Sequence, residues 1–240
     1  MDIDLRGELM PNDRADIARW YGWKDLTCPA DIRAALDKAG GEDLTVLINS
    51  PGGSMAVGTE IASMLRRYPG RVTALYQGHG ASAATIAATG ADRIEAEPGA
   101  LLCYHNPMSA VQGDYRALAT ESASMLAARD CIVAQYRARG GTKPESELEE
   151  LMGRDVYITP QEAMEYGLVD ALTAAPGGED PDPSPFTAAT AGNIRITAAM
   201  RQRYMEAHAG GAPADPVPES GTDPTDRDRA LAYARALAIY

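Results

Sequence analysis

The chain of 240 residues is long enough for one substantial domain with a sizeable hydrophobic core. Its 34 acidic side chains outnumber 22 basic ones, and the resulting net charge of −12 disfavours binding to a nucleic-acid phosphate backbone. Three widely spaced cysteines predict neither a disulfide framework nor a metal site, and we expect no cofactor. The polar first residues and the lack of a long apolar segment predict a cytoplasmic protein without a membrane span.

Predicted helices and strands alternate along much of the chain. The region up to about residue 25 is predicted to be irregular, with one strand at about 17–23. The pattern then predicts a helix at 31–39, a strand at 44–49, a helix at 55–65, a strand at 72–76, a helix opened by Ser82, strands at 93–97 and 101–105, helices at 115–138 and 145–152, a strand at 156–158 and a helix at 160–166. Such alternation is typical of parallel βαβ units, so the predicted fold class is α/β.

The composition changes after about residue 172. Residues 174–184 and 210–225 are rich in proline, glycine and aspartate, which is typical of solvated linkers. Weak helical patterns occupy 194–207 and 227–240. We therefore predict a folded domain at 1–172 and a largely irregular C-terminal extension at 173–240.

Ser82 lies among glycines and alanines, at the point where a hydrophobic strand gives way to a helical pattern. A helix N-terminus offers free backbone N–H groups and the positive end of the helix dipole, which favour an oxyanion. This environment suits a nucleophilic serine, because its attack on a carbonyl develops negative charge. Taken alone, the same pattern also fits an ordinary N-cap serine.

A second candidate element is Ser50-Pro51-Gly52-Gly53, directly after a predicted buried strand. Paired glycines allow positive φ and let another chain segment approach closely. The backbone N–H of Gly53 is therefore a candidate oxyanion donor. A simple turn is the alternative interpretation.

A base for Ser82 must exchange a proton near neutral pH, which favours histidine. His208 lies in the extension, and His79 is expected to lead into the turn before Ser82 without reaching its hydroxyl. His105 follows a predicted strand, and the strand ends of open α/β sheets commonly hold active-site groups. His105 is therefore the candidate base, with a packed structural histidine as the alternative.

An orienting carboxylate could come from Asp92, Asp114, Asp155 or Asp170. Asp155 lies between a predicted helix and a short strand, where a loop can aim it at an imidazole. A surface ion pair with Arg154 is the alternative, and spacing alone does not decide between them. The long helix at 115–138 is expected to pack in a core or against another subunit.

Five motifs occur in one order at compatible spacings: Ile48-Asn49-Ser50-Pro51-Gly52-Gly53, Gly80-Ala81-Ser82-Ala83, Tyr104-His105-Asn106-Pro107, Arg154-Asp155 and the run from Glu162 to Asp170. Together they resemble the proteolytic subunit of the Clp protease, over roughly residues 44–172. The resemblance implies a crotonase-like spiral of βαβ units in which the domain at 1–172 carries catalysis. It also implies a serine-type endopeptidase.

The resemblance assigns a role to each matching position. It implies Ser82 as nucleophile, His105 as base and Asp155 as orienting acid, with the backbone N–H groups of Gly53 and Ala83 as the oxyanion hole. An extended peptide substrate would lie between residues 53–55 and 106–108, which makes Ser54, Met55, Asn106 and Met108 candidate substrate-binding residues. The implied reaction is acyl transfer through an acyl-enzyme that water releases.

The resemblance further implies heptameric rings that stack through the helix at 115–138 and enclose a chamber for the polypeptide substrate. Three features depart from the family pattern. Ala83 stands where methionine is usual, and the extension after residue 172 is long. The segment ahead of residue 44 is short and expected to lack the apolar strand and axial loop that engage a ring ATPase, which leaves that partner open.

Trp20-Tyr21-Gly22-Trp23 and the helix that follows resemble a branch of this family, the head maturation proteases of tailed phages and prophages. These enzymes trim scaffold and capsid proteins during assembly. The first alternative is a housekeeping-type or regulatory bacterial Clp subunit that works with an ATP-dependent unfoldase, and Arg154-Asp155 is closer to that pattern. A crotonase-fold acyl-CoA enzyme and a non-catalytic scaffold subunit are further alternatives, which the serine and histidine motifs disfavour.

Overall fold

The computed structural model describes residues 1–173 and 196–208. The described residues fall into two compact units, one formed by 1–15 and 25–173 and the other by 16–24 and 196–208. The division between a domain at 1–172 and an extension stays a prediction. Most of the predicted extension, including the helical pattern at 227–240, lies outside the described residues.

The described residues form eight strands and eight helices. The strands are β1 (Asp2–Leu9), β2 (Leu26–Thr27), β3 (Leu44–Gly53), β4 (Val72–Ala81), β5 (Arg93–Ala96), β6 (Leu101–Cys103), β7 (Tyr157–Ile158) and β8 (Ala171–Leu172). The helices are α1 (Asn12–Trp20), α2 (Pro29–Ala39), α3 (Met55–Arg66), α4 (Ala83–Ala88), α5 (Tyr115–Arg139), α6 (Glu145–Arg154), α7 (Pro160–Glu165) and α8 (Ala198–His208).

A parallel sheet runs in the order β2-β1-β3-β4-β5-β8. The sheet divides at β4, which pairs with β5 through residues 73–76 and with β6 through residues 79–81. β7 then pairs with β6 in the antiparallel direction. Helices alternate with the parallel strands along the chain, so the predicted α/β class is confirmed.

The main core lies where the central strands meet the helices that connect them. Ile48 of β3, Tyr76 of β4 and Ile61 of α3 are each at most 1% exposed. Both faces of a parallel sheet are usually covered, which favours near-continuous apolar strands such as β3. Burial of one large apolar side chain contributes roughly 1.5–3 kcal/mol, so this central cluster is a principal source of stability.

The prediction that the N-terminal region is irregular is wrong. β1 occupies Asp2–Leu9, and residues 17–23, predicted as a strand, largely belong to α1. Ile3, Leu5 and Leu9 alternate with polar residues and are buried against β3, which is the period of a strand with one buried face. An apolar-faced strand therefore does precede residue 44, contrary to the expectation that it would be missing.

Several strands extend beyond their predicted ends. β3 continues through Ser50-Pro51-Gly52-Gly53, beyond the predicted end at residue 49, and β4 continues to Ala81 rather than ending at Tyr76. The reason is pairing with neighbours: Gly53 pairs with Leu9 of β1, and Ala81 pairs with Cys103 of β6. These partners lie far away in sequence, so local breakers do not stop the strands.

The second unit is held by an aromatic cluster. The Trp20 ring packs edge-on against Tyr21, at 4.8 Å between ring centroids, and against Tyr204, at 5.9 Å. Tyr204 in turn stacks on His208 at 4.1 Å. The helical pattern predicted at 194–207 is thereby confirmed as α8, and His208 occupies its last position.

Candidate active site

Nearly all the predicted site residues line one cleft of about 500 Å³. It is bordered by Gly53, Ser54, Met55, Ser82, Ala83, His105, Met108 and Asp155. The first three lie where β3 passes into α3, the next two where β4 passes into α4, and the histidine and second methionine follow β6. Asp155 precedes β7, whose start lies beside the end of β6 because the two strands are antiparallel. Asn106 lines a neighbouring surface groove instead.

Ser82 occupies a strained turn between β4 and α4. Its φ of 55° and ψ of −128° fall outside the common regions for a residue with a Cβ. Its N–H donates to Cys103 O at 2.9 Å, and its carbonyl accepts from Thr85 N at 2.9 Å. The side chain makes no capping hydrogen bond, so the alternative of an ordinary N-cap serine does not describe this residue.

Gly52 permits the close approach of β3 to the Ser82 turn. Its φ is +93°, and a Cβ at this position would lie 2.5 Å from Ser82 Cβ and 2.8 Å from Ala83 N. No side chain larger than hydrogen fits without moving the serine. The glycine pair in the sequence predicts a role for Gly53 as an oxyanion donor, but it does not by itself indicate this role of Gly52.

The side chain of Ser50 anchors the C-terminal end of β3 to β1. It is fully buried, and its Oγ donates to Gly7 O at 2.6 Å and accepts from Gly52 N at 3.1 Å. The bonds tie β3 to the bend in β1 at Gly7, whose φ is +62°. The sequence alone does not predict this role for Ser50, because no local signal distinguishes a buried serine from an exposed one there.

The two predicted oxyanion donors lie on either side of Ser82. Gly53 has a φ of +143° and packs against the backbone of Leu9, so a Cβ would overlap the Leu9 carbonyl. Ala83 is the first residue of α4, where backbone N–H groups have no acceptor within the helix. Gly58 of α3 packs against the Ala83 carbonyl and so holds the start of α4 in place.

The His105 ring is oriented by its own neighbour. Nδ1 lies 2.6 Å from Asn106 O, and because a carbonyl can only accept, Nδ1 carries the proton. In the neutral ring Nε2 is then left as a proton acceptor, which is the form a general base requires. Among the described residues, no hydrogen bond joins His105 to Ser82 or to Asp155.

Of the four candidate carboxylates, Asp155 is the one that borders the cleft. Asp92 accepts from Val72 N at 2.8 Å, and Asp114 caps α5 by accepting from the backbone N–H groups of Arg116 and Ala117. Asp170 accepts from Ile94 N at 2.7 Å and forms an ion pair with Arg139. These three carboxylates therefore have structural roles: Asp92 binds the start of β4, Asp114 caps the N-terminus of α5, and Asp170 binds β5.

Asp155 has a left-handed backbone, with φ 47° and ψ 48°, at the end of α6. Arg154, its alternative ion-pair partner, instead pairs with Glu162 at 2.6 Å. Burial, with a further contribution from the charge of Asp155, raises the pKa of Cys103 to about 11. Burial likewise raises the pKa of Tyr157, so both hydroxyl and thiol groups beside Asp155 are neutral at physiological pH.

His79, the other histidine near Ser82, does not border the cleft. Its ring packs against Tyr157 with 5.5 Å between centroids, and burial lowers the pKa of His79. In the described part of the chain, no cluster of three histidine, cysteine or acidic side chains is arranged to hold a metal ion. Within the same residues, no helix combines the length and apolarity needed to cross a membrane.

Comparisons with known proteins give one family. The model of the Clp protease family matches residues 32–175. An ATP-dependent Clp protease proteolytic subunit of Chaetosphaeridium globosum is 35% identical over 134 residues, which cover 55% of this chain and 66% of the relative. The corresponding protein of Chara vulgaris is 31% identical over 147 residues, or 60% of this chain and 64% of the relative. The chain thus spans about two thirds of the length of these curated relatives.

The solved structure of a ClpP1 mutant from Listeria monocytogenes has a similar fold, with a TM-score of 0.57 at 18% identity. The match covers 72% of this chain and 90% of that one. It confirms the predicted Clp-protease-like α/β fold. The enzyme class predicted from the sequence, a serine-type peptidase, is that of the matched family.

Proposed function

Because this chain belongs to the Clp protease family, we propose that it is a serine endopeptidase that cleaves polypeptides through an acyl-enzyme. The observation that carries the proposal is the single cleft bordered by Ser82, His105 and Asp155. The strained turn presents the serine at a strand-to-helix junction, and the histidine tautomer leaves one ring nitrogen to accept a proton.

In the proposed reaction His105 Nε2 takes the proton of Ser82 as Oγ attacks the scissile carbonyl. The backbone N–H groups of Gly53 and Ala83 stabilise the tetrahedral oxyanion. Protonated His105 then gives its proton to the leaving amine, and a water molecule releases the acyl group by the same steps in reverse. No metal ion or cofactor takes part in this scheme.

Asp155 improves this base by replacing the Asn106 carbonyl at His105 Nδ1. The carbonyl already selects the right tautomer, but it is neutral. A carboxylate additionally stabilises the positive imidazolium that forms in the transition state, and charge-assisted hydrogen bonds are the stronger ones. We therefore assign the described geometry to a resting arrangement and the exchange of Asn106 O for Asp155 to activation.

The substrate would bind as an extended strand along the cleft. Ser54 and Met55 border one side and Met108 the other, and Met108 is 78% exposed in the single chain. Asn106 stays a prediction as a substrate contact. Its N–H already donates to Met152 O at 3.2 Å, and its carbonyl is occupied by the His105 ring.

The test compares the wild-type protein with Ser82→Ala under a fluorophosphonate probe and labelled casein. We expect one label per chain on Ser82, located by mass spectrometry, and no label in the variant. Ser63→Ala, which changes a partly exposed serine outside the cleft, is the matched control and should be labelled like the wild type. Labelling that persists in Ser82→Ala would contradict the nucleophile assignment.

We also propose a homo-oligomer, consistent with the oligomeric rings of the family. A groove of about 360 Å³ runs along α5 and the segment before it, and it exposes an apolar surface on the single chain. Its apolar residues are Pro107, Val111, Leu118, Met125 and Leu126. Leu118 and Leu126 are about half exposed, at 50% and 51%. A second copy seated on this groove would remove these side chains from water, as the role proposed for α5 in joining rings requires.

For the physiological role we propose head maturation in a phage or prophage, in the cytoplasm of the host. The support is the resemblance of the Trp20 to Trp23 segment to that branch. The names of the relatives support the alternative, an ATP-dependent proteolytic subunit that works with an unfoldase. Cleavage of a scaffold or capsid protein encoded beside this chain at a few discrete sites favours the first role. Processive degradation that requires a ring ATPase favours the second.

A further inference from the structure

The hydroxyl of Tyr136 is linked to the backbone of Ser82 through the side chain of Thr85. Tyr136 Oη lies 2.7 Å from Thr85 Oγ1, and Thr85 Oγ1 donates to Ser82 O at 2.6 Å. The single hydroxyl proton of Thr85 is therefore already committed to the carbonyl. It follows that Tyr136 donates to Thr85. The two hydrogen bonds form a relay that runs from the Tyr136 hydroxyl through the Thr85 hydroxyl to the Ser82 carbonyl.

Both hydroxyl groups of the relay are shielded from water. Tyr136 is 2% exposed and Thr85 is 1% exposed. A buried hydrogen bond has no water to replace a lost partner, so its removal leaves an unsatisfied polar group. Burial also raises the pKa of Tyr136, which keeps its hydroxyl protonated and able to donate throughout the physiological range.

The relay ends on the strained part of the candidate site. A residue with a Cβ keeps a left-handed φ only where its surroundings hold it there, and φ is 55° at Ser82. The Ser82 carbonyl accepts from both the N–H and the hydroxyl of Thr85. Release of the Thr85 hydroxyl would let the turn relax, and the Oγ of Ser82 would move with it.

We propose that Tyr136 is a positioning residue for the nucleophile, holding the Ser82 carbonyl through Thr85 and thereby fixing the direction of Ser82 Oγ. The inference rests on the proposed function of Ser82. Tyr136 belongs to α5, in which the buried residues are Ile132, Val133 and Tyr136, all near its C-terminal end. The relay therefore connects this long, mostly exposed helix to the turn that carries the nucleophile.

Tyr136→Phe removes the donor and keeps the ring, which packs edge-on against Tyr104 with 5.4 Å between centroids. We expect fluorophosphonate labelling of Ser82 to slow roughly threefold to tenfold, the effect of one buried hydrogen bond on a reaction barrier. Hydrolysis of a fluorogenic peptide should lose the same factor in kcat with KM nearly unchanged, because phenylalanine keeps the ring with which Tyr136 borders the cleft.

The matched control is Tyr104→Phe. Tyr104 is the other ring of the same pair and is also 2% exposed, but its hydroxyl interacts with that of Tyr76 and takes no part in the bonds between Tyr136, Thr85 and Ser82. This variant should be labelled at the wild-type rate. Thr85→Val should slow labelling, and Thr85→Ser, which retains a hydroxyl, should restore most of the rate. The double variant of Tyr136→Phe and Thr85→Val should be no slower than Thr85→Val, because both changes interrupt one relay.

Thermal unfolding of each variant separates positioning from stability. A Tyr136→Phe protein that melts at a lower temperature but is labelled at the wild-type rate would overturn the proposal, since the bond would then be merely structural. Equal slowing in Tyr136→Phe and Tyr104→Phe would overturn it as well. Absence of Ser82 labelling in the wild-type protein would instead contradict the proposed function.

Discussion

Ser82 and Asp155 share a left-handed backbone, with φ of 55° and 47°, that no other non-glycine residue adopts in the described part of the chain. They lie 73 positions apart in sequence, and both border the same cleft. A residue held in such a conformation costs on the order of 1–3 kcal/mol and persists where the surrounding structure over-determines it. The meeting of both strained positions at one cleft supports the roles proposed for them, independently of any motif.

We expect Gly52→Ala to abolish activity while the fold survives. The new Cβ would meet Ser82 Cβ at 2.5 Å, so the turn that carries the nucleophile must move. The left-handed φ of +93° adds strain of roughly 1–3 kcal/mol, which should be visible as a lower melting temperature. Fluorophosphonate labelling should fall by about 100-fold or more, since a misplacement near 1 Å can have that effect.

Gly22→Ala is the matched control for this variant. Gly22 has nearly the same φ, +90°, but a Cβ there would meet no atom of the described residues within 4 Å. It should therefore lose a comparable amount of stability and keep the wild-type labelling rate. Equal loss of labelling in the two variants would show that backbone strain, and not contact with Ser82, governs activity.

Ser50→Ala should lower the free energy of unfolding by roughly 1–3 kcal/mol, because the buried hydrogen bonds from Ser50 Oγ to the Gly7 carbonyl and from the Gly52 N–H to Ser50 Oγ would both be lost. Chemical denaturation measures the change. Ser54→Ala is the comparison, since the Ser54 side chain makes no capping hydrogen bond on α3. Its effect on stability should stay within about 0.5 kcal/mol. An equal loss of unfolding free energy in the two variants would contradict the structural role assigned to Ser50.

The pKa of Cys103 predicts how its reactivity depends on pH. Burial and then the charge of Asp155 raise this pKa from an ordinary value of 9.0 to about 11. The thiolate is the reactive form, so alkylation by iodoacetamide at pH 8 should be about 100-fold slower than for a thiol with the ordinary pKa. Because folding raises the pKa, the stabilisation from Cys103 is present below pH 9 and is lost as the pH rises from 9 towards about 11.

Asp155→Asn isolates the electrostatic part of this effect. Asparagine tolerates the left-handed backbone, so the fold should be retained while the negative charge disappears. The pKa of Cys103 should fall, and its alkylation, followed by mass spectrometry, should become faster by severalfold. Cys131, which is exposed, serves as the internal reference in the same digest. An unchanged Cys103 rate would mean that the charge of Asp155 does not reach the thiol.

Local sequence signals identified most residues of the candidate site because these residues lie at junctions between elements and border one cleft. The glycines before Ser82 and the Pro-Gly-Gly run after β3 mark such junctions, and parallel strands bring their carboxyl ends together. The same logic placed His105 after β6. What these signals did not supply is contact over long distances in the chain, such as the bond between Thr85 and Tyr136, 51 residues apart.

The failures near the N-terminus have a similar cause. Ile3 and Leu5 alternate with charged residues, and this local polarity predicts an irregular segment, whereas pairing with β3 buries the apolar face and makes β1 a strand. The His105 tautomer was also beyond prediction, because it depends on where the Asn106 carbonyl points. Backbone orientation of this kind is set by the packing of the whole loop.

Leu126→Glu should weaken self-association without unfolding the subunit. Leu126 is 51% exposed on the single chain and borders the apolar groove of α5, so a second copy would bury it. Burying a carboxylate in this groove is costly, and the lost apolar contact removes about 1.5–3 kcal/mol per copy. Light scattering after size-exclusion chromatography should show a shift to smaller species. Ala127→Glu adds the same charge at the next exposed position outside the groove and should leave the mass unchanged, whereas an unchanged mass for Leu126→Glu would place the interface elsewhere.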